Sequence, residues 1–265
     1  MYRNRRNQIA AVLSIVTLAP LAAHGEDVFT LHSAIDDTKQ YFTAPLRWDR
    51  EDWAYFGVTA AALVVAHQYD SRVRDHFADP SRSDQSTKDP NSLRDAAPLV
   101  AIIGATWVYA EFIDDKDGYR ETWSLLEAGV FSTATSEVLK VAAGRERPNV
   151  TDSPNRWRQG GDSFPSVHTT AAFAIGTVFA ESGNDEFRWL RRVIGYGIAG
   201  GTAYVRLREN QHWLSDTVAG AAVGIATARF VLNRRSEASA SAAGGMLQFQ
   251  PTKDGWMMSY VVDLK

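Results

Sequence analysis

Three short segments carry residue types that can handle a tetrahedral oxyanion. The first, Lys140-Val-Ala-Ala-Gly-Arg-Glu-Arg147-Pro148, clusters cations at the predicted C-terminal end of a helix that Pro148 stops. Basic residues there also complement a helix dipole and nothing more, so this segment decides little by itself. The second, Ser163-Phe-Pro165-Ser166-Val167-His168-Thr169-Thr170, runs into an apolar helix at 171–180. Ser166 stands where an N-cap belongs. A helix start exposes unpaired N–H groups and partial positive charge, so it can hold anionic oxygens while the Ser166 hydroxyl donates and His168 faces the same anion. A plain serine cap beside a surface histidine has the same sequence. The third, Arg206-Leu-Arg-Glu-Asn-Gln-His212-Trp-Leu-Ser-Asp216, puts His212 and Asp216 on one face if the stretch is helical. A carboxylate on one imidazole nitrogen sets the tautomer and makes the other nitrogen the better nucleophile. An ordinary helix-supporting His–Asp pair shares that spacing.

These segments need a scaffold, and the hydrophobic pattern supplies an all-α one. Six helices are predicted, at 54–69, 96–113, 121–143, 167–182, 189–206 and 213–232. Polar breakers separate them at 70–95, at Asp114-Asp115-Lys116-Asp117-Gly118 and at 148–161. Upstream, Arg3, Arg5 and Arg6 precede an apolar run at 9–23 that ends in Ala23-His24-Gly25, the pattern of a signal peptide over 1–25. The helical domain is therefore expected at 26–232, in an exported protein of the periplasm or cell envelope. A Ser/Ala-rich linker is expected at 233–245, and a small C-terminal β-hairpin at 246–265 around Lys253-Asp254-Gly255. The uncharged runs in the helices are shorter than the roughly 20 residues of a bilayer span, which favours a water-soluble or membrane-adjacent domain over six true spans. A chain of 265 residues with net charge -3 has no basic excess for nucleic acid, so any bound anion must meet locally placed cations. The absence of cysteine excludes disulfides and thiolate catalysis.

The order and spacing of the three segments resemble the tripartite signature of the type-2 phosphatidic acid phosphatase and vanadium haloperoxidase superfamily. They read Lys140-x6-Arg147-Pro148, then Pro165-Ser166-Val167-His168, then Val205-Arg206-x5-His212-x3-Asp216. The resemblance implies a six-helix core and phosphomonoester hydrolysis through a phosphohistidine, on a lipid phosphate or a small organic phosphate. In that scheme His212 is the nucleophile, Asp216 orients it and His168 protonates the leaving alcohol. Lys140, Arg147, Ser166, the Val167 N–H and Arg206 hold the phosphoryl oxygens. No metal and no cofactor are implied, and vanadate is expected as an inhibitor. Two positions depart from the pattern. Val167 replaces a glycine, adding bulk beside the phosphate N–H, and Val205 replaces a serine before the arginine.

Other functions share these residues. A vanadium haloperoxidase would use the same cradle to hold vanadate as its cofactor, and a non-catalytic phosphate or lipid-headgroup binder would keep the cradle without turnover. A structural envelope protein with coincidental motifs is the remaining class. No His-Glu-x-x-His or carboxylate cluster suggests a metal site, and His24, His32, His67 and His76 lack partners at motif spacing. The loops at 69–95 and 149–162 are expected at the rim, with Arg156, Trp157 and Arg158 on a solvated face.

Overall fold

In the computed structural model, residues 31–77, 92–113, 116–183, 187–243, 246–252 and 255–261 are described. The helices among them are α1 (Leu31–Thr43), α2 (Arg50–Phe77), α3 (Ser92–Ile113), α4 (Lys116–Ala143), α5 (Val167–Glu181), α6 (Arg188–Arg208) and α7 (Leu214–Ala243). A 3-10 turn at Ala44–Arg47 links α1 to α2. Two strands follow, β1 (Met246–Thr252) and β2 (Gly255–Val261), paired antiparallel with Met246 opposite Val261.

α5 is the central helix because its residues are small and apolar on every side. Ala172, Ala174, Ile175 and Val178 are buried together with Leu99 and Ile102 of α3, Leu125, Ala128 and Phe131 of α4, Ala199 of α6, and Ala228 and Val231 of α7. Glycines set how closely its neighbours approach. A Cβ on Gly176 would fall 2.6 Å from the Gly195 carbonyl oxygen of α6, and one on Gly224 of α7 would fall 2.4 Å from the Thr170 carbonyl oxygen. No side chain fits at either crossing, so α5 and α7 lie almost backbone to backbone. That contact brings their N-terminal ends together, and the Ser166 N–H donates to the Asp216 carbonyl at 3.1 Å.

Several boundaries differ from the sequence expectation. α1 forms over a polar, Asp-bearing segment that periodicity does not mark as helical. Tyr41 anchors it: the ring stacks on Phe131 at 4.7 Å, and the hydroxyl bonds Thr135 at 2.9 Å and Thr227 at 2.7 Å. Arg234 of α7 also pairs with Asp37 at 2.9 Å. α2 runs eight residues beyond its expected end at 69, through Phe77, because Asp70, which looks like a breaker in sequence, is buried and bonded. α7 continues through 233–243, where a linker was expected; its alanines favour helix, and composition alone does not separate an Ala/Ser linker from an Ala/Ser helix. α4 ends at Gly144 rather than by the action of Pro148: Gly144 has φ +53° and its N–H donates to the Lys140 carbonyl at 2.9 Å, a left-handed helix cap. The expected signal peptide, the turn at 114–115, much of the 70–95 loop (78–91) and the hairpin tip at 253–254 lie outside the described residues.

Among the described residues one stretch, Leu214–Ser236, is long and apolar enough to cross a membrane, and half of it is buried within the protein. Large apolar side chains nonetheless reach the surface. They include Leu46, Trp53, Phe56 and Val58 near the start of α2, Phe112 at the end of α3, and Trp189 and Val193 on α6.

Candidate active site

His212 lies in the turn between α6 and α7, not on a helix. Its neighbour Trp213 immediately precedes α7, and Asp216 sits in the helix's first turn, where its Oδ2 accepts the Trp213 N–H at 2.9 Å. That bond is the reciprocal arm of a capping box, in which an acidic third residue reaches back to the cap N–H. The expected His–Asp pair on one helical face is therefore replaced by a cap geometry. His212 Nδ1 is 3.7 Å from Asp216 Oδ2, an ion-pair distance, but only 2.7 Å from the Ser163 carbonyl oxygen. A carbonyl oxygen can only accept, so Nδ1 carries the proton and Nε2 carries the lone pair in the neutral ring. Burial lowers the His212 pKa to about 4 against the opposing pull of Asp216, and Arg147 and Lys140 add to the lowering. The ring is neutral near pH 7, and its tautomer is set by a backbone oxygen rather than by the carboxylate.

Asp216 acts one step further back. Its Oδ2 also accepts the Ser163 hydroxyl at 2.5 Å, and its Oδ1 accepts Arg145 Nη1 at 2.5 Å. Burial alone would raise its pKa, but His212, Arg145 and Ser163 outweigh burial and hold it low. Asp216 thus clamps the loop whose carbonyl holds His212. Arg145 is fully buried and spans two carboxylates, donating through Nη2 to Asp70 at 2.6 Å while Nη1 serves Asp216. Its Nη2 also donates to the Pro154 carbonyl at 2.8 Å, and its plane lies 4.4 Å from the Trp157 ring. Asp70 accepts the Ser215 N–H at 2.8 Å and the Ser215 hydroxyl at 2.7 Å. The start of α7 is thereby filled by two carboxylates from within the protein.

The start of α5 is built differently. Ser166 is the residue before the helix, as expected, but its hydroxyl caps no N–H; its oxygen accepts the Thr169 hydroxyl at 3.0 Å. A capping hydroxyl accepts from a helix N–H, and this one accepts from the Thr169 side chain instead. A helix leaves its first N–H groups, here from Val167 onward, without intrahelical acceptors. His168, in that first turn, has its pKa pushed down to about 3 by burial and then by Arg206, His212, Lys140 and Arg147. Lys140, at the end of α4, is lowered by burial and by Arg147. Lys140, Arg147, His168, Arg206 and His212 thus act on one another electrostatically. Arg147 forks onto Asp162, at 2.8 and 3.0 Å, and bonds Gln211. Arg206 is buried and pairs with Glu209 at 2.9 Å. Val167 is half-buried at the first helical position, and Val205 is exposed on α6.

The structure brings the charged and imidazole residues of the three segments together, with Ser166 tied to Asp216 through its backbone N–H, and adds five. Asp70, Arg145, Ser163, Asp162 and Gln211 are invisible to motif spacing because their work is done across the fold. Arg145 lies within the first segment, but its sequence cannot say which arginine faces inward. His67, which has no metal-ligand partner at motif spacing, bonds Asp70 at 2.9 Å and Asn155 at 2.8 Å. Trp157, expected on a solvated face, covers Arg145. A neutral, tautomer-fixed imidazole amid three cations and an open helix start is an arrangement able to bind a tetrahedral oxyanion and attack its centre.

Comparison with known proteins agrees with that class of site. The model of the PAP2 superfamily matches residues 121–239, the part of the chain that carries the three segments. Over 86 residues the chain is 40% identical to a lipid A 1-phosphatase of Porphyromonas gingivalis, covering 32% of this chain and 17% of that protein. Over 150 residues it is 27% identical to a PA-phosphatase related-family protein of Dictyostelium discoideum, covering 51% of this chain and 54% of the other. The chain thus spans less than two thirds of the length of either relative. Among solved structures, a transmembrane PAP2 type phosphatidylglycerolphosphate phosphatase from Bacillus subtilis overlays with a TM-score of 0.42 at 14% identity, covering 78% of this chain and 98% of the other. Aquifex aeolicus LpxE overlays with a TM-score of 0.32 at 20% identity, covering 55% of this chain and 89% of the other.

Proposed function

We propose that this chain hydrolyses a phosphomonoester through a phosphohistidine formed on His212 Nε2, with a lipid phosphate as the substrate class. The observation that carries this reading is the 2.7 Å bond from His212 Nδ1–H to the Ser163 carbonyl, which leaves the Nε2 lone pair beside the cations. In the first step the Nε2–P bond forms as the P–O bond to the leaving alcohol breaks, and His168 gives that oxygen its proton. In the second step His168 takes a proton from water, whose oxygen displaces Nε2 from phosphorus. His168 is neutral near pH 7 in the empty site, so a bound dianion must raise its pKa and recruit the proton, as an adjacent opposite charge does. Lys140, Arg147 and Arg206 neutralise the phosphoryl oxygens with Ser166 and the Val167 N–H, so the scheme requires no metal.

The lipid assignment is supported by the names of the relatives and by the exposed Leu46, Trp53, Phe56 and Phe112, which suit a membrane surface. Export through the N-terminal segment and a periplasmic or envelope location belong to the same proposal. The test is rapid quenching with 32P-labelled substrate in the presence of EDTA. Acid-labile, base-stable label on the wild-type protein and none on His212→Ala is the expected result. Undiminished phosphate release by His212→Ala would sink the mechanism, and loss of wild-type turnover in EDTA would sink its metal independence. A release panel spanning para-nitrophenyl phosphate, phosphatidic acid and a lipid pyrophosphate, with fractionation of the mature protein, decides substrate class and location.

A further inference from the structure

Arg147 is a predicted phosphate ligand, yet its fork already holds a carboxylate. Nε donates to Asp162 Oδ1 at 2.8 Å, Nη2 donates to Asp162 Oδ2 at 3.0 Å, and Nη1 donates to Gln211. A guanidinium engages two phosphoryl oxygens in this same parallel, two-bond geometry. Asp162 also lies in the field of Lys140 and of His212, so its charge stands among the groups that an oxyanion must reach. Its environment differs from that of the other carboxylates at the site. Asp70 and Asp216 are fully buried and bonded by several donors, whereas the Asp162 side chain is 52% exposed and is held by the Arg147 fork. The fork is bidentate and, against burial, Arg147 holds the Asp162 pKa down to about 2, but the half-exposed carboxylate keeps a solvated alternative to its partner, so the pair remains exchangeable.

Resting on the phosphatase reading, we infer that Asp162 is an internal competitor for the oxyanion site: it occupies the Arg147 fork in the empty protein and is displaced when a phosphoryl group binds. Its return to the fork helps expel inorganic phosphate after turnover. The exchange favours a dianion over a monoanion, since a doubly charged phosphoryl group gains more from Arg147 and Lys140 than a carboxylate does. A second role is open to the same contact, in which Asp162 aims Arg147 at the phosphate. The two roles predict opposite signs. Removing a competitor tightens oxyanion binding, and removing a positioning group weakens it.

The experiment is titration calorimetry of inorganic phosphate, and separately of orthovanadate, into the full chain and its Asp162→Asn and Asp162→Ser variants, with circular dichroism to verify folding. Asn keeps an acceptor for Arg147 without the charge, and Ser keeps neither the charge nor the reach. Both variants are expected to bind phosphate roughly two- to fivefold more tightly than the wild type, the order that a screened, half-exposed ion pair supports. In turnover, the Ki for phosphate is expected to fall in parallel. Affinity equal to or weaker than wild type in the folded variants overturns the inference and leaves the phosphatase reading standing. Absence of phosphate and vanadate binding to the wild type, together with the variants, overturns both.

Discussion

Arg145 and Arg147 stand two residues apart on one loop, and the fold uses them in opposite ways. Arg145 points into the protein, is fully buried, and has its donors closed by Asp70, Asp216, Ser215 and the Pro154 carbonyl. Arg147 points to the rim, and its main partner is the half-exposed Asp162. The first arrangement makes a floor, a set of charges that satisfy one another and fix the loop carrying the Ser163 carbonyl. The second makes a cradle, whose charges can be exchanged for those of a ligand. The starts of α7 and α5 repeat the contrast. One is filled by Asp70 and Asp216, the other is left to Ser166 and the first N–H groups. Like residues thus serve stability or binding according to whether the fold has already supplied their counter-charge.

The contrast can be broken most sharply at Arg145. Arg145→Met leaves Asp70 and Asp216 buried without their cation, and removing one partner of a buried pair costs about 3–5 kcal/mol. Urea denaturation is expected to show that loss. A midpoint equal to wild type would mean that the floor is not held by these charges. Arg147→Ala is expected to reverse the pattern: stability changes by less than about 0.5 kcal/mol, as for other rim substitutions. Its kcat/KM falls by roughly 100-fold or more, the scale of losing one donor to developing charge. Comparable unfolding losses for the two variants would erase the distinction.

Acid separates the regions by a different route. His212 and His168 titrate at about 4 and about 3 in the folded protein, below the ordinary 6.5, because burial penalises their charged forms. Between pH 6.5 and those values the unfolded chain binds more protons than the native one. Stability is therefore complete above about 6.5 and is lost as pH falls towards 4 and then 3. Thermal midpoints measured across that range should decline, and His168→Gln should flatten the lower part. Saturating phosphate should flatten it as well, since a bound dianion raises both pKa values. The smallest effect is expected for Ser163→Ala. It removes the hydroxyl bond to Asp216 but leaves the carbonyl that holds His212, so stability should fall by about 1 kcal/mol, while the pH profile of kcat/KM stays in place.

The helices from α2 to α7 were legible because their apolar residues recur with helical spacing, and the class of site was legible because the three segments keep their order. α1 was not, since its anchoring depends on Tyr41 meeting Phe131, Thr135 and Thr227, residues far along the chain. The 233–243 segment was misread because alanine and serine suit linkers and helices alike. At the site, spacing named the residue types but not the hydrogen-bond partner of His212. Spacing proposed Asp216, and the structure supplied the carbonyl of Ser163.

What the sequence alone determined is the inventory: Lys140, Arg147, Ser166, His168, Arg206, His212 and Asp216, residue types able to handle an oxyanion, in an order that resembles the PAP2 signature. Motif spacing can carry this much because it records which residue types lie near which helix ends. Only the tertiary structure decided which charges are already answered. Whether an arginine binds substrate or holds up the floor depends on where its counter-ion comes from. For Arg145 that counter-ion is Asp70, on a helix 75 residues upstream, which no local pattern reports.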